Sequence, residues 1–189
     1  MIRARSPGWY RKPETPNPTP GVRAMNEIPP QAVSPASADP PERQFSIEAI
    51  YLKDCSFESP LAPAILGTPN LAPELKVNLQ TAINGIRDNP HLHEVVLTVT
   101  LEARWQDRVT FLAEIHQAAL LLMRGFSDEE KGPLLGAYAP GLLYPYAREL
   151  LASLVNRGGF PAVLLQPVNF EAIYQQHLLQ ATQASPGHA

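Results

Sequence analysis

Cysteine is almost absent from the 189 residues, and the single Cys55 excludes an internal disulfide framework and any zinc site built from several cysteines. Long apolar runs are missing as well, because no stretch approaches the roughly 18 consecutive apolar residues of a membrane-spanning helix. The chain has no Gly-Lys pair, which a phosphate-binding loop of the ATP-hydrolysing type requires. These absences favour a soluble cytoplasmic protein that does not hydrolyse ATP.

Charged residues are scarce, at 17% against a usual share of about 25%. Residues 1–44 carry 6 of the 15 basic and 4 of the 18 acidic side chains, so residues 45–189 carry 9 basic and 14 acidic ones, a net charge of −5. Phosphate contacts need a basic surface, so this balance argues against nucleic acid as the main partner. It favours a basic protein partner instead.

Proline marks the boundary of the folded part. Residues 1–44 hold 10 of the 21 prolines and few large apolar residues, so they cannot bury enough surface to offset the entropy of ordering. We predict a disordered Pro-rich arm over residues 1–44, a folded domain over residues 45–181 and a flexible tail over residues 182–189. Removing the arm should leave assembly unchanged, and translation from Met25 would lose nothing that is predicted to fold.

Hydrophobic residues recur with period 2 up to about residue 123 and with period 3.6 afterwards, which predicts an α+β domain with the sheet first and helices packed on one face. In the first strand, alternation places Phe45, Ile47, Ala49 and Tyr51 on one face. A second strand covers residues 75–79. The clearest pattern predicts a strand over residues 95–105, a tight turn at Gln106-Asp107 and a fourth strand from residue 109.

Prolines 60, 63, 69 and 73 forbid regular pairing between the first two strands. After residue 125, an apolar stripe of Leu143, Tyr146/Ala147, Leu150/Leu151 and Leu154 predicts an amphipathic helix. Pro145 is expected in its first turn, and Gly158-Gly159 should end it. A last helix is predicted to begin after Asn169 as N-cap.

Catalytic and metal chemistry finds little support in the sequence. His91, His93 and His116 could be imagined as metal ligands, but their predicted places on loops and strands favour ordinary surface roles, and we expect no metal and no cofactor. Cys55 lies near Asp54 and Glu58, and this anionic setting disfavours a reactive thiolate. No set of titratable residues converges, so we expect no enzymatic activity.

Asp54 and Glu58 have even spacing and should share a face of an extended strand, where such carboxylates are usually just solvated. Apolar residues without an obvious burial place are the remaining anomaly. They indicate either a face buried by oligomerisation or a groove that accepts apolar segments of other chains. These surplus residues are Leu61, Ile65, Leu66, Leu71 and the run at 118–123.

Four ordered blocks of residues carry a family likeness that covers residues 45–180. They are Phe45-x-Ile47-x-x-Ile50-Tyr51-x-Lys53-Asp54-x-Ser56-Phe57-Glu58-x-Pro60-x-Ala62-Pro63; Glu94-Val95-Val96-Leu97-x-Val99-Thr100; Leu135-Gly136-Ala137-Tyr138-x-Pro140 with Leu143-x-Pro145-Tyr146-Ala147-Arg148-Glu149; and Pro167-Val168-Asn169-Phe170. In these blocks the sequence resembles the SecB family of protein-export chaperones.

The resemblance implies a four-stranded antiparallel sheet with helices on one face, assembled as a homotetramer, a dimer of dimers with its helices between two sheets. It also implies a cytoplasmic, ATP-independent holdase that keeps preproteins unfolded and delivers them to the motor protein SecA. No direct insertion into the membrane is expected.

Site residues follow from the resemblance by matched position. The family's contact with the basic, zinc-binding C-terminal segment of SecA corresponds to Asp54, Glu58, Leu112 and Glu114, and the zinc belongs to SecA. The groove that binds unfolded clients corresponds to Tyr51, Phe57, Ile65, Leu66, Leu75, Val77 and Leu79.

Two other functions stay open at this point. One is a SecB-like chaperone dedicated to a non-export client such as an antitoxin, which a neighbouring toxin–antitoxin gene pair would favour. The other is a small-ligand-binding or enzymatic α+β protein, which should show a defined pocket with shifted titratable groups.

Overall fold

A computed structural model describes residues 42–183, and these form a sheet followed by helices. The strands are β1 (Gln44–Glu58), β2 (Glu74–Ile86), β3 (Asn89–Trp105) and β4 (Arg108–Arg124). The helices are α1 (Asp128–Pro133), α2 (Ala139–Arg157) and α3 (Phe170–Gln183). All strands pair antiparallel in the order β1-β4-β3-β2, and α2 packs on one side. The predicted α+β class and four-stranded antiparallel sheet are confirmed.

Most of the predicted arm and tail lies outside the described residues. Gln44, the last residue of the predicted arm, already pairs with Arg124 as the first residue of β1. Helix α3 continues two residues beyond the predicted domain end at residue 181.

The hairpin of β3 and β4 supplies most of the core. Gln106 and Asp107 form the predicted two-residue turn with φ values of 49° and 61°, the left-handed conformation that hairpin turns of this length favour. Alternate residues of both strands are fully buried against α2, which defines the helix side of the sheet; the opposite face is called the open side below. The fully buried residues include Val95, Leu97, Val99, Leu101, Phe111, Ala113, Ile115 and Leu121.

Strand β1 departs from the predicted alternation because of two bulges, between Ile47 and Ala49 and between Leu52 and Asp54. Each extra residue reverses the alternation of the side chains that follow it. Phe45 and Ile50 therefore pack on the helix side, whereas Tyr51 lies on the open side, where its hydroxyl contacts Glu94. The prediction that Phe45, Ile47, Ala49 and Tyr51 share one face was wrong for this reason.

Helix α2 begins earlier than predicted. A π-helical turn at Leu134–Tyr138 leads directly into it, so the helix starts at Ala139 and Pro145 lies inside it, not in its first turn. The buried stripe contains Leu143, Ala147 and Leu151 as predicted. Tyr146, which was placed on that stripe, is 50% exposed, and the neighbouring Tyr144 is buried instead and donates to the carbonyl of Gln166.

Two glycines end α2 as predicted, each for a separate reason. Gly159 has φ of +87°, which residues with a Cβ rarely adopt. Gly158 lies under the ring of Phe57, where an added Cβ would come within 2.2 Å of a ring carbon. Because of this close approach, Phe57 can stack on Phe111 at 5.7 Å between ring centroids, and Phe160 completes the aromatic cluster.

One helix was missed by the sequence analysis, and the predicted cap of α3 is confirmed. Helix α1 was not predicted, although Ser127 and Glu130 form the capping box that marks a helix start. Asn169 caps α3 as predicted, since its Oδ1 accepts from the amide of Ala172 at 3.0 Å. The proline-rich connection between β1 and β2, residues 59–73, contains one short 3-10 turn at Ala64–Gly67 and no strand.

Candidate functional site

The four residues matched to SecA contact lie together on the open side of the sheet. Glu58 pairs with Leu112 across β1 and β4, and Asp54 and Glu114 lie on the same two adjacent strands. Both β1 carboxylates are exposed, and Leu112 and Glu114 are partly exposed. We call this set, Asp54, Glu58, Leu112 and Glu114, the docking surface. It presents three carboxylates around one apolar side chain.

Both carboxylate oxygens of Glu114 have side-chain partners. Its Oε2 accepts from the Thr100 hydroxyl at 2.9 Å, and its Oε1 lies 2.8 Å from Nε2 of His116. The hydrogen bond from His116, followed by that from Thr100, lowers the pKa of Glu114, because bonds to the ionised form favour it. The carboxylate is therefore held in one orientation and stays charged at neutral pH.

A second polar network lies on the open side toward the other end of the sheet. Glu94 on β3 is buried, and Lys53 Nζ donates to both of its oxygens at 2.7 and 2.8 Å. Asn84 and Tyr51 also donate to it. The Lys53 bond is the main cause that lowers the pKa of Glu94, while burial and the bond to Glu94 raise the pKa of Tyr51 to about 12. The network links β1, β2 and β3, and donors of the protein itself occupy the hydrogen-bond acceptor positions of Glu94.

An apolar groove runs along β2 on the helix side. Leu75 and Val77 are each 43% exposed there, and Leu66 on the connection between β1 and β2 is 46% exposed. Leu66, Leu75, Phe111 and Phe160 line one section of the groove, a cavity of about 420 Å³. Exposed apolar surface of this kind is typical of binding sites for other chains.

The second section of the groove lies further along the same strand. Leu79 and Ile83 face Ile173 and Tyr174 of α3 there, around a cavity of about 550 Å³. Val77 lies between Leu75 and Leu79 on the same side of β2. The groove therefore follows β2 from the connection at residues 59–73 to α3.

Three of the residues predicted to line the groove lie elsewhere in the structure. Ile65 is only 7% exposed and belongs to the core, and Phe57 is half-buried in the aromatic cluster behind the first section. Tyr51 lies on the open side, so one chain does not bring it to the groove. Of the remaining four, Leu66 and Leu75 line the first section, Leu79 lines the second, and Val77 lies between Leu75 and Leu79 on β2.

The histidines do not converge. His93 pairs with Leu121 on the helix side, and burial lowers its pKa, whereas His116 lies on the open side. Within residues 42–183 no group of three or more His, Cys, Asp or Glu side chains is placed to hold a metal ion. In the same part of the chain no helix is long and apolar enough to cross a membrane.

Sequence reasoning missed two contributors to the open side. Glu94 was noted only as part of a sequence block shared with the family. Its environment depends on Lys53, which lies at a bulge of β1 and is distant in sequence. His116 was weighed as a metal ligand and not as a partner of Glu114. The even spacing of Glu114 and His116 on one strand was the signal that could have found their contact.

Comparisons with known proteins identify the family. The family model described as preprotein translocase subunit SecB matches residues 38–181. The protein-export protein SecB of Methylococcus capsulatus is 44% identical over 143 residues, which cover 76% of this chain and 90% of the relative. The protein of the same description from Nitrosococcus oceani is 44% identical over 144 residues, covering 76% of this chain and 87% of the relative.

Among solved structures, a SecB-like chaperone of Mycobacterium tuberculosis in complex with a ChAD peptide from an antitoxin has the same fold. The TM-score is 0.55 at 21% identity, and the match covers 66% of this chain and 90% of the other.

The relatives define a class, that of chaperones for protein export. The chain belongs to the SecB family. The resemblance seen in the four sequence blocks is thereby confirmed, and membership in a chaperone family agrees with the expectation that the chain is not an enzyme.

Proposed function

We propose that this protein is a cytoplasmic, ATP-independent holdase that binds unfolded preproteins in the groove along β2 and delivers them to SecA through the docking surface. The observation that carries the proposal is the placement of Asp54, Glu58, Leu112 and Glu114 on two adjacent strands of the open side. Three carboxylates around a leucine suit a basic segment that also carries an apolar residue, as the C-terminal zinc-binding segment of SecA would.

Client binding is supported by the apolar side chains left exposed along β2. Each section of the groove is open and modest in volume, so one section alone would bind an unfolded chain weakly. Several such sections on one assembly raise the overall affinity through effective concentration. A binder selective for the unfolded state also withdraws the client from folding, which is what a holdase must do.

A homotetramer, arranged as a dimer of dimers, would supply those repeated sections. The outer edge of β1 is unpaired among the described residues, and exposed Ile47 and Leu52 lie along it. An edge strand with apolar side chains commonly pairs with another chain. On the outer face of α2, Tyr146 is 50% exposed and suits a helix packed between two sheets.

The decisive experiment is a calorimetric titration of the purified protein with SecA and with SecA that lacks its C-terminal zinc-binding segment. We expect binding to intact SecA and loss of most of that binding without the segment. If neither form binds although the protein still suppresses aggregation of an unfolded client, the export role is wrong. A chaperone for a dedicated client such as an antitoxin would then be the better function.

A further inference from the structure

His116 lies at one end of the docking surface, next to Asp54 and Glu114. Its neighbour across β1 is Asp54, and its neighbour across β3 is Thr98. Nε2 of the imidazole lies 2.8 Å from Oε1 of Glu114, and Nδ1 lies 3.4 Å from the Thr98 hydroxyl oxygen. The side chain is 31% exposed, so both solvent and a docked partner can reach it.

The imidazole contacts Glu114 in either protonation state, but with different consequences. In the neutral form Nε2–H donates to the carboxylate and Nδ1 is free to accept from Thr98, so the ring orients Glu114 without changing its charge. In the protonated form the same bond becomes an ion pair with Glu114. A histidine side chain ordinarily changes charge between about pH 5 and 8. Glu114 remains ionised through this range because the bonds from His116 and Thr100 lower its pKa.

Charged and polar groups of three strands, β1, β3 and β4, surround the imidazole. Strand β1 contributes Asp54 and, at the bulge, Lys53, whose ammonium group is paired with Glu94 at 2.7 Å. Strand β4 contributes Glu114. Strand β3 places only threonine hydroxyls beside the ring. The unpaired charge around the ring is therefore negative, and a proton taken up by the ring would cancel part of the charge that a basic partner needs.

We propose that His116 is a positioning residue that makes docking of a basic polypeptide segment dependent on pH, an inference that rests on the proposed docking of SecA. The neutral ring holds Glu114 ready for the partner. The protonated ring neutralises one of the three carboxylates of the docking surface, so binding weakens as the pH falls. One unit charge near contact distance in a water-like environment changes affinity about fivefold.

The test compares the wild-type protein with His116→Gln, whose amide can still donate to Glu114 but cannot titrate. The probe is the isolated, zinc-loaded C-terminal segment of SecA, titrated by calorimetry between pH 8.0 and 6.0. Because both proteins meet the same segment, any titration of the segment itself cancels in the ratio of the two affinities. We expect wild-type affinity to fall more than that of His116→Gln, by a factor that approaches about fivefold as the ring becomes fully protonated. An identical pH dependence in both proteins would overturn the proposal.

A second measurement avoids any folding defect of the variant. The side-chain NMR signals of His116 in the wild-type protein are followed against pH, with and without the saturating segment. By reciprocity, a partner that binds less well to the protonated form must shift the titration midpoint of the ring to lower pH. An unchanged midpoint would contradict the proposal. Failure of the segment to bind wild type at pH 8.0 would instead refute the docking function itself.

Discussion

Charge reversal at Glu114 should separate delivery from client binding. The side chain is 40% exposed at the centre of the docking surface, so its interactions with a partner are screened nearly as in water. A unit-charge pair at about 4 Å in water is worth about 1 kcal/mol. Glu114→Arg replaces one such attraction by one repulsion, a change of about 2 kcal/mol, which corresponds to about 30-fold weaker binding of SecA.

The assay measures the affinity of the variant for SecA by calorimetry and its ability to suppress aggregation of an unfolded client. The matched control is Glu129→Arg, the same reversal at an exposed carboxylate on α1, away from the open side. We expect Glu114→Arg to bind SecA more weakly than wild type, and we expect this difference in affinity to shrink at high salt. Client binding should stay at the wild-type level. Wild-type affinity in Glu114→Arg, or equal losses in both variants, would refute the reasoning.

Three further predictions concern stability and the groove. Gly158→Ala should destabilise the fold by about 1–3 kcal/mol in urea unfolding, because the new Cβ would overlap the aromatic ring packed on it, whereas Gly85→Ala, with no neighbour within 4 Å, should cost little; equal costs would contradict this. Lys53→Met should lower stability at pH 7 by about 1 kcal/mol. The lowered pKa of Glu94 contributes stability only while that carboxylate is ionised, so the difference from wild type should shrink as the pH falls below the ordinary pKa of a glutamate and through the lowered one. A difference that stays constant with pH would be inconsistent with the ion pair. Leu75→Ser should weaken binding of an unfolded client about fivefold without changing SecA binding, and unchanged client affinity would remove Leu75 from the groove.

The parts of the fold that sequence could predict are those set by local periodicity. Alternation in β3 and β4 is uninterrupted over most of the hairpin, and the Gln106-Asp107 turn leaves the register little freedom, so both were predicted correctly. The facing of side chains in strand β1 was not predicted correctly, because its two bulges depend on how it pairs with β4 and cannot be recognised from its own composition. Tyr51, assigned to the groove by its matched position in the family, lies on the open side because of the first bulge.

The candidate site divides in the same way. Asp54 and Glu58 were expected to share a face because of their even spacing, and the structure places them so because no bulge separates them. The environment of Glu114 required knowledge of its cross-strand neighbours: Thr100 is 14 residues away in sequence, and its hydroxyl reaches the carboxylate only through the β3–β4 register. Pairwise contacts of this kind set the orientation and charge of the site, and a single sequence does not contain them.

The docking surface and the groove occupy opposite faces of one sheet, and β4 contributes consecutive residues to them. Phe111 lines the groove, while Leu112 faces the other way. In the proposed function, an extended client in the groove would leave the docking surface uncovered, so a complex with both client and SecA would need no prior release of the client. Transfer of the client, as proposed, would then be an exchange between two simultaneously bound partners, without a free unfolded chain in between.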